Sequence, residues 1–356
     1  MGRQSTLGRA ASGNEADNPV LAEVIRSGRT ESIHRGAVIA LGPDGAVLNT
    51  GQGLVRAGAV DTPMFPRSSN KPMQAAAMLR CGLDLDGKLL ALAAASHSGE
   101  DFHVAGVREI LAGAGLAEDA LQCPPDLPLD EQVQRRLLRS GGEPDRVHMN
   151  CSGKHAAMLA TCVTAGWPTA SYTDPDHPLQ AEIRRAIERL TGEPVAAVGV
   201  DGCGAPLFGL SLTGLARAFS ALVRADPGTP ERQVADAMRA HPEWTSGTTR
   251  PERALMEAVP GLLLKSGAEG VEALALPDGR AVAFKIDDGA ARARPAVTVA
   301  LLRALGAGDD PAAEADTLAE LARPPVLGGG RVVGEIRARL PLTGPSTVVN
   351  GDLTGC

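Results

Sequence analysis

Aromatic side chains are nearly missing from this sequence. They make up 2% of 356 residues, with a single tyrosine (Tyr172) and two tryptophans, Trp167 and Trp244. Stacking platforms for bases or sugars need aromatic faces, so recognition of that kind is excluded. The core must instead be aliphatic and alanine-rich. Positive charge is not in excess either. The 35 Lys and Arg against 42 Asp and Glu leave a net charge of −7, so no general basic field exists to attract nucleic acid or anionic lipid. Long apolar runs are also lacking. "LLALAAA" (89–95) and "GLLL" (261–264) fall far short of the ~18 residues that a membrane span needs. Residues 1–18 are polar and contain no apolar stretch of the kind that marks a secretory signal. They read as a disordered leader ahead of a single domain over 19–356, and the cytoplasm is the expected location.

Closely spaced cysteine pairs are absent too. The six cysteines stand at 81, 123, 151, 162, 203 and 356. In a cytosolic chain of this size such thiols read as buried small hydrophobes, metal ligands or nucleophiles rather than disulfides.

What is present is a 44% hydrophobic chain, enough to bury a core. "SIHRGAVIAL", "GPDG" and "AVLNTG" (32–51) read as a hairpin around a Pro/Gly/Asp turn. "RSSNKPMQ" (67–74) follows, and its Pro72 fits the first turn of a helix starting near Ser68. Helical spacing of apolar residues marks 130–140, 151–166, 177–192 and 209–240, and "EPVAAVGVDGCG" (193–204) reads as a buried strand entering a glycine turn. The last third returns to strands: "GLLLKSG", then two β-prone runs around "PDG" (277–279), with "RVVGEIRARL" closing the chain after two helices. Strands at both ends and helices between them predict an α+β domain with one largely antiparallel sheet, built from 30–60 and 260–345, and a helical part over 68–250.

Three groups of residues carry chemistry. Ser68 and Lys71 stand at i and i+3, on one face of a helix. A serine hydroxyl needs a base, and a lysine amine serves when burial or a neighbouring cation lowers its pKa; the bland alternative is an N-cap serine with a solvated lysine. Lys265, Ser266 and Gly267 follow an apolar run, the Lys-Ser/Thr-Gly pattern of acyl-transfer enzymes that use Ser-x-x-Lys. The Ser-Asp-Asn that usually stands between those motifs is replaced by "ASHSGED", with Ser96, His97, Ser98 and Glu100; its bland reading is a capping turn. The third group joins "NCSGKHAAML" to "VDGCGAP". Cys151 and Lys154 lie one helical turn apart, His155 is adjacent, and Cys203 follows Asp201. Two thiolates with an amine or imidazole suit Zn²⁺, whereas the spacing alone favours buried core cysteines.

Taken together, "RSSNKPMQ", "ASHSGE", "NCSGKHAAML", "DGCGAP" and "LLLKSGAEG" resemble the L-asparaginase II family, from about residue 20 to the C-terminus. The resemblance implies a serine β-lactamase-like and glutaminase-like three-layer α/β/α fold. It implies hydrolysis of L-asparagine to L-aspartate and ammonia, with Ser68 as the acylated nucleophile beside Lys71. It pairs Ser98 with Lys265, although Ser96 stands two residues away and the motif does not separate them. It further implies one Zn²⁺ on Cys151, Lys154 and Cys203, which reverses the core reading of those cysteines. Substrate contacts would come from Asp201, His155 and Arg67, and the assembly would be a homodimer. The competing readings are a glutaminase or other amidase, a penicillin-binding protein, a zinc-bound binding module, and an amidohydrolase that uses Cys203.

Overall fold

A computed structural model describes residues 18–51, 53–307 and 315–341; residues 1–17 of the expected leader lie outside them. Ten strands are present among these residues. They are β1 (Val20–Arg26), β2 (Arg29–Leu41), β3 (Arg56–Ala57), β4 (Ala197–Val200), β5 (Pro206–Gly209), β6 (Leu263–Ser266), β7 (Val271–Ala275), β8 (Ala281–Ile286), β9 (Pro325–Gly328) and β10 (Arg331–Ala338). The main sheet runs β6-β7-β8-β2-β1-β10-β9, with β3 on β2, and the register of every pair is antiparallel.

The N- and C-terminal thirds thus share one antiparallel sheet, as the strand–helix–strand order predicts. Along β7, β8 and the second half of β2, residues of both parities are buried. Side chains alternate between faces, so both faces of the sheet are covered. The helix Leu212–Arg224 packs on β2, β7 and β8, and the helix Arg294–Ala304 packs on β1 and β10. The result is a three-layer α/β/α arrangement. Its core contains Leu, Val, Ile, Ala and Met with few rings, Phe219, Phe284 and Tyr172 being the fully buried aromatics.

Two local expectations need correction. The hairpin expected across 32–51 is present only as a short antiparallel return at the end of β2, with Gly42 donating to Ala46, Leu48 to Ala40 and an isolated bridge from Leu41 to Val47. The longer hairpin, not expected, joins β1 to β2 through Ser27 and Gly28, both at positive φ (47° and 77°), as a two-residue turn matched to strand twist requires. The run at 193–204 contains a strand, β4, but it is exposed and pairs with β5 in a separate two-stranded sheet. Val198 and Val200 face outward, while Gly199 between them lies against the Phe65 ring.

Candidate active site

The segment at 67–71 is a single 3-10 turn, Arg67–Asn70, running straight into the helix Lys71–Arg80. Pro72 sits in that helix's first turn, where its missing N–H breaks no bond. Arg67, immediately before Ser68, has φ +52°, a left-handed conformation costly for a residue with a Cβ. The turn is over-determined by its neighbours. Ser69 donates from Oγ to the Pro66 carbonyl at 2.7 Å, and Gly267 at the end of β6 lies so close that a Cβ there would stand 2.4 Å from the same oxygen. Glycine is therefore required in the Lys-Ser-Gly motif because the strand end presses on the turn that carries Ser68.

Ser68 is half-buried and its Oγ makes no hydrogen bond among the described residues. Lys71 and Lys265, one from the helix and one from β6, are almost completely buried. Both amines converge on one hydroxyl: Ser96 Oγ lies 3.1 Å from Lys71 Nζ and 3.0 Å from Lys265 Nζ. Lys71 also donates to the Ala95 carbonyl, and Lys265 donates to the Ser266 carbonyl at 2.8 Å. Burial, and then the Lys71 ammonium beside it, drive Lys265 well below the usual lysine range, with Glu252 opposing the shift. Two buried amines on a shared partner thus favour a neutral amine next to a serine.

Ser96 rather than Ser98 is the partner of Lys265. Ser98 is fully buried and donates to the Ser246 carbonyl at 2.9 Å, under Gly247, where a Cβ would stand 2.0 Å from its Oγ. The irregular segment 95–100 brings Ser96 to the lysines, while Ser98 packs into the turn at 246–247.

The third group is also brought together. Cys151 caps the helix Ser152–Ala165, which carries Lys154 and His155. Lys154 Nζ lies 3.1 Å from Cys203 Sγ. The Cys151 thiol, with the Lys154 charge and His155, holds Cys203 far below the thiol range, and Cys203 together with burial pushes Cys151 up, while Cys151 Sγ donates to Asn150 Oδ1 at 3.1 Å. Burial alone would strip Lys154 of its proton, but Cys203, Cys151 and Asp201 outweigh it and keep the amine charged. His155 is fully buried, with Nδ1 2.7 Å from the Tyr172 hydroxyl and Nε2 left without a hydrogen-bond partner on the Cys203 side. Two sulfurs, an amine and a free imidazole nitrogen form an N/S donor set of the kind Zn²⁺ prefers. Among the described residues no cluster of three or more His, Cys, Asp or Glu side chains is arranged for a metal, so the fit depends on the Lys154 amine.

Arg67 links the two centres. Its Nε donates to Asp201 Oδ1 at 2.7 Å, and its Nη1 lies 3.7 Å from Glu269. The turn that carries Ser68 and the Cys203 loop are therefore tied by one partly buried ion pair. Arg67 and Asp201 border the half-buried Ser68, whereas His155 sits behind Tyr172 with the thiols.

A family model described as L-asparaginase II matches residues 22–338. The chain belongs to the L-asparaginase II family. Membership makes it a hydrolase with a small-molecule substrate, of the amidase kind. Comparison with curated proteins finds no match. Among solved structures, a beta-lactamase (Mb2281c) from Mycobacterium bovis aligns at 14% identity over 75% of this chain and 94% of its own, with a TM-score of 0.38. EstCE1, a hydrolase with promiscuous acyltransferase activity, aligns at 14% identity over 75% and 88%, with a TM-score of 0.33. Simvastatin synthase (LovD) from Aspergillus terreus aligns at 12% identity over 71% and 86%, with a TM-score of 0.30.

In this L-asparaginase II family member, sequence reasoning missed three participants. Tyr172 was visible only as the sole tyrosine, yet it holds His155. Gly247 and Glu252 lie in a region of plain helical patterning and reach the site only through the fold. No helix among the described residues is long and apolar enough to cross a membrane.

Proposed function

We propose that this protein is an L-asparaginase that hydrolyses the side-chain amide of L-asparagine through an acyl-enzyme on Ser68. The observation that carries the reading is the convergence of two buried lysines on one hydroxyl beside a half-buried serine in a constrained turn. Lys71, one helical turn from Ser68, relays the hydroxyl proton through Ser96 Oγ to the neutral Lys265 amine as the Ser68 Oγ bonds to the amide carbon. The backbone N–H of Ser68 faces the resulting oxyanion; the Gly267 N–H is already committed to the Val271 carbonyl at 2.9 Å. The C–N bond then breaks, and the leaving nitrogen departs as ammonia with a proton delivered through Ser96 and Lys265. Water, deprotonated by the same relay in reverse, releases aspartate and restores Ser68.

Arg67 and Asp201 are suited to the α-carboxylate and α-amino groups of an amino-acid substrate, once their mutual ion pair opens. Cys151, Lys154 and Cys203 would hold one Zn²⁺ per chain, which when bound supplies a Lewis-acidic point for orienting a substrate. The resemblance also supports a homodimer. Ammonia release from asparagine by wild type and Ser68→Ala, each with its metal content measured, tests the reading. Activity in wild type and its loss in the variant support it; equal inactivity of both points to a binding module. A ratio of kcat/KM favouring glutamine would replace the substrate while leaving the mechanism in place.

One observation favours a second assignment of roles. Ser96 Oγ, not Ser68 Oγ, is the hydroxyl that touches both amines. If Ser96 were the attacking group, the trapped acyl group would map to the peptide containing residue 96 rather than residue 68.

A further inference from the structure

Successive side chains of a strand point to opposite faces, so Ser266 turns away from the face on which Lys265 meets Ser96. Its Oγ donates to Glu252 Oε1 at 2.6 Å. Glu252 comes from the helix Pro251–Ala258 and is almost fully buried. Arg250 Nη2 lies 3.1 Å and Arg294 Nη2 3.5 Å from the same oxygen. Arg294 continues to Glu272 at 3.4 Å, and Glu272 is the register partner of Ser266 across β6 and β7 and accepts from Thr298. A cavity of about 210 Å³ borders this network on Arg250, Glu252, Glu272, Arg292 and Arg294.

Buried charges of this kind cost several kcal/mol each in desolvation, and their pairing often does no more than offset that cost. As a device for stability alone the network is therefore inefficient. Its bonds are incomplete as well: Glu252 Oε2, Arg250 Nε and Arg294 Nε are buried without partners. What the network does is specific. It grips the hydroxyl of the residue whose carbonyl accepts from Lys265 Nζ.

We propose that Glu252 is a positioning residue for Lys265: through Ser266 it fixes the strand end that aims the lysine amine at Ser96, and its charge offsets the guanidiniums behind that strand. This rests on the Ser–Lys reading of the site. The charged and titratable groups around Lys265 are Lys71 from the helix Lys71–Arg80, Glu252 and Arg250 at the helix Pro251–Ala258, Arg294 from the helix Arg294–Ala304, and Glu272 of β7. Removing the Glu252 charge leaves Glu272, itself paired with Arg294, as the one carboxylate of this group facing three cations, so Lys265 gives up its proton more readily.

The test compares full-length Glu252→Gln, Glu252→Asp, Ser266→Ala and Lys265→Met in kcat and KM for asparagine as functions of pH, with melting temperatures. Glu252→Gln is expected to lose about 10- to 100-fold in kcat with KM little changed, with its acidic limb moved to lower pH. Glu252→Asp is expected to recover most of both. Ser266→Ala, the milder change, is expected to lower kcat while the limb stays in place. A purely structural role would lower the melting temperature and leave kcat of the folded fraction and the limb at wild-type values, and that result overturns the proposal. Where Glu252→Gln does not fold, wild-type kcat in Ser266→Ala overturns it equally. An active Lys265→Met would instead overturn the Ser–Lys reading itself.

Discussion

At the scale of single residues, the two serines of "ASHSGED" separate cleanly. Ser96 bridges both lysines, and Ser98 is a buried donor to a backbone carbonyl. Ser96→Ala is therefore expected to cost about 10²–10⁴-fold in kcat, the range of a lost proton-transfer group. Ser98→Ala is expected to keep kcat within a few-fold and to cost about 1–3 kcal/mol of stability, because the Ser246 carbonyl loses its buried partner. Steady-state kinetics and denaturant titration of the pair check this, and the opposite pattern would restore Ser98 as the partner of Lys265. The sequence could not separate them: two hydroxyls two positions apart are equivalent on paper, and only the packing of the irregular segment 95–100 against the lysines and against the turn at 246–247 decides which one faces the amines.

Lys265 also makes stability depend on pH. Its folded-state pKa is depressed, first by burial and then by Lys71, so the unfolded chain binds more protons between that value and the ordinary lysine pKa of about 10.4. Stability attributable to this group should rise with pH across that window and fall as pH drops through the folded value. Lys265→Met is expected to flatten that part of the dependence, as read by urea midpoints from pH 6 to 10. On the proposed Ser–Lys mechanism the catalytic consequence has the same sign, and activity is expected to rise with pH through the same transition.

At the scale of elements, β6 and the turn at 67–70 form one unit. Gly267→Ala would drive a methyl group to within 2.4 Å of the Pro66 carbonyl oxygen, a backbone atom that cannot yield without moving Ser68. Overpacking of this kind costs typically about 1–3 kcal/mol, and kcat is expected to fall more than stability does. Circular dichroism beside kinetics checks this; wild-type kcat in a folded variant would show that the close approach is incidental. The element-level outline was legible where local signals were strong. The "PDG" turn gave the β7–β8 hairpin, and apolar spacing gave the helices at 131–139, 152–165 and 178–191. The β1–β2 hairpin was missed because Ser27–Gly28 is a weaker turn signal than Asn-Gly and sits beside charged residues. The exposure of β4 was missed because an apolar run does not reveal what covers it.

At the scale of the whole molecule, the Ser–Lys centre and the thiol set are joined by Arg67 and Asp201, which stand 134 residues apart in the chain. Motif order in the sequence pointed to both centres. The ion pair between them and the network on Glu252 arise only when the terminal thirds close into one sheet. Loss of Cys203 should empty the proposed metal site: Cys203→Ser is expected to lose most bound zinc by elemental analysis, while Cys162→Ser, whose thiol is buried elsewhere in the core, keeps it. Equal zinc in both variants would contradict the assignment.

The central claim, acylation of Ser68 by the asparagine side chain, is tested most directly by acid-quenching the enzyme during turnover of L-asparagine and locating the adduct by peptide mass spectrometry. The account predicts one aspartyl group on the peptide containing Ser68, absent from Ser68→Ala. An aspartyl group on the Ser96 peptide, or turnover by Ser68→Ala at the wild-type rate, would contradict it.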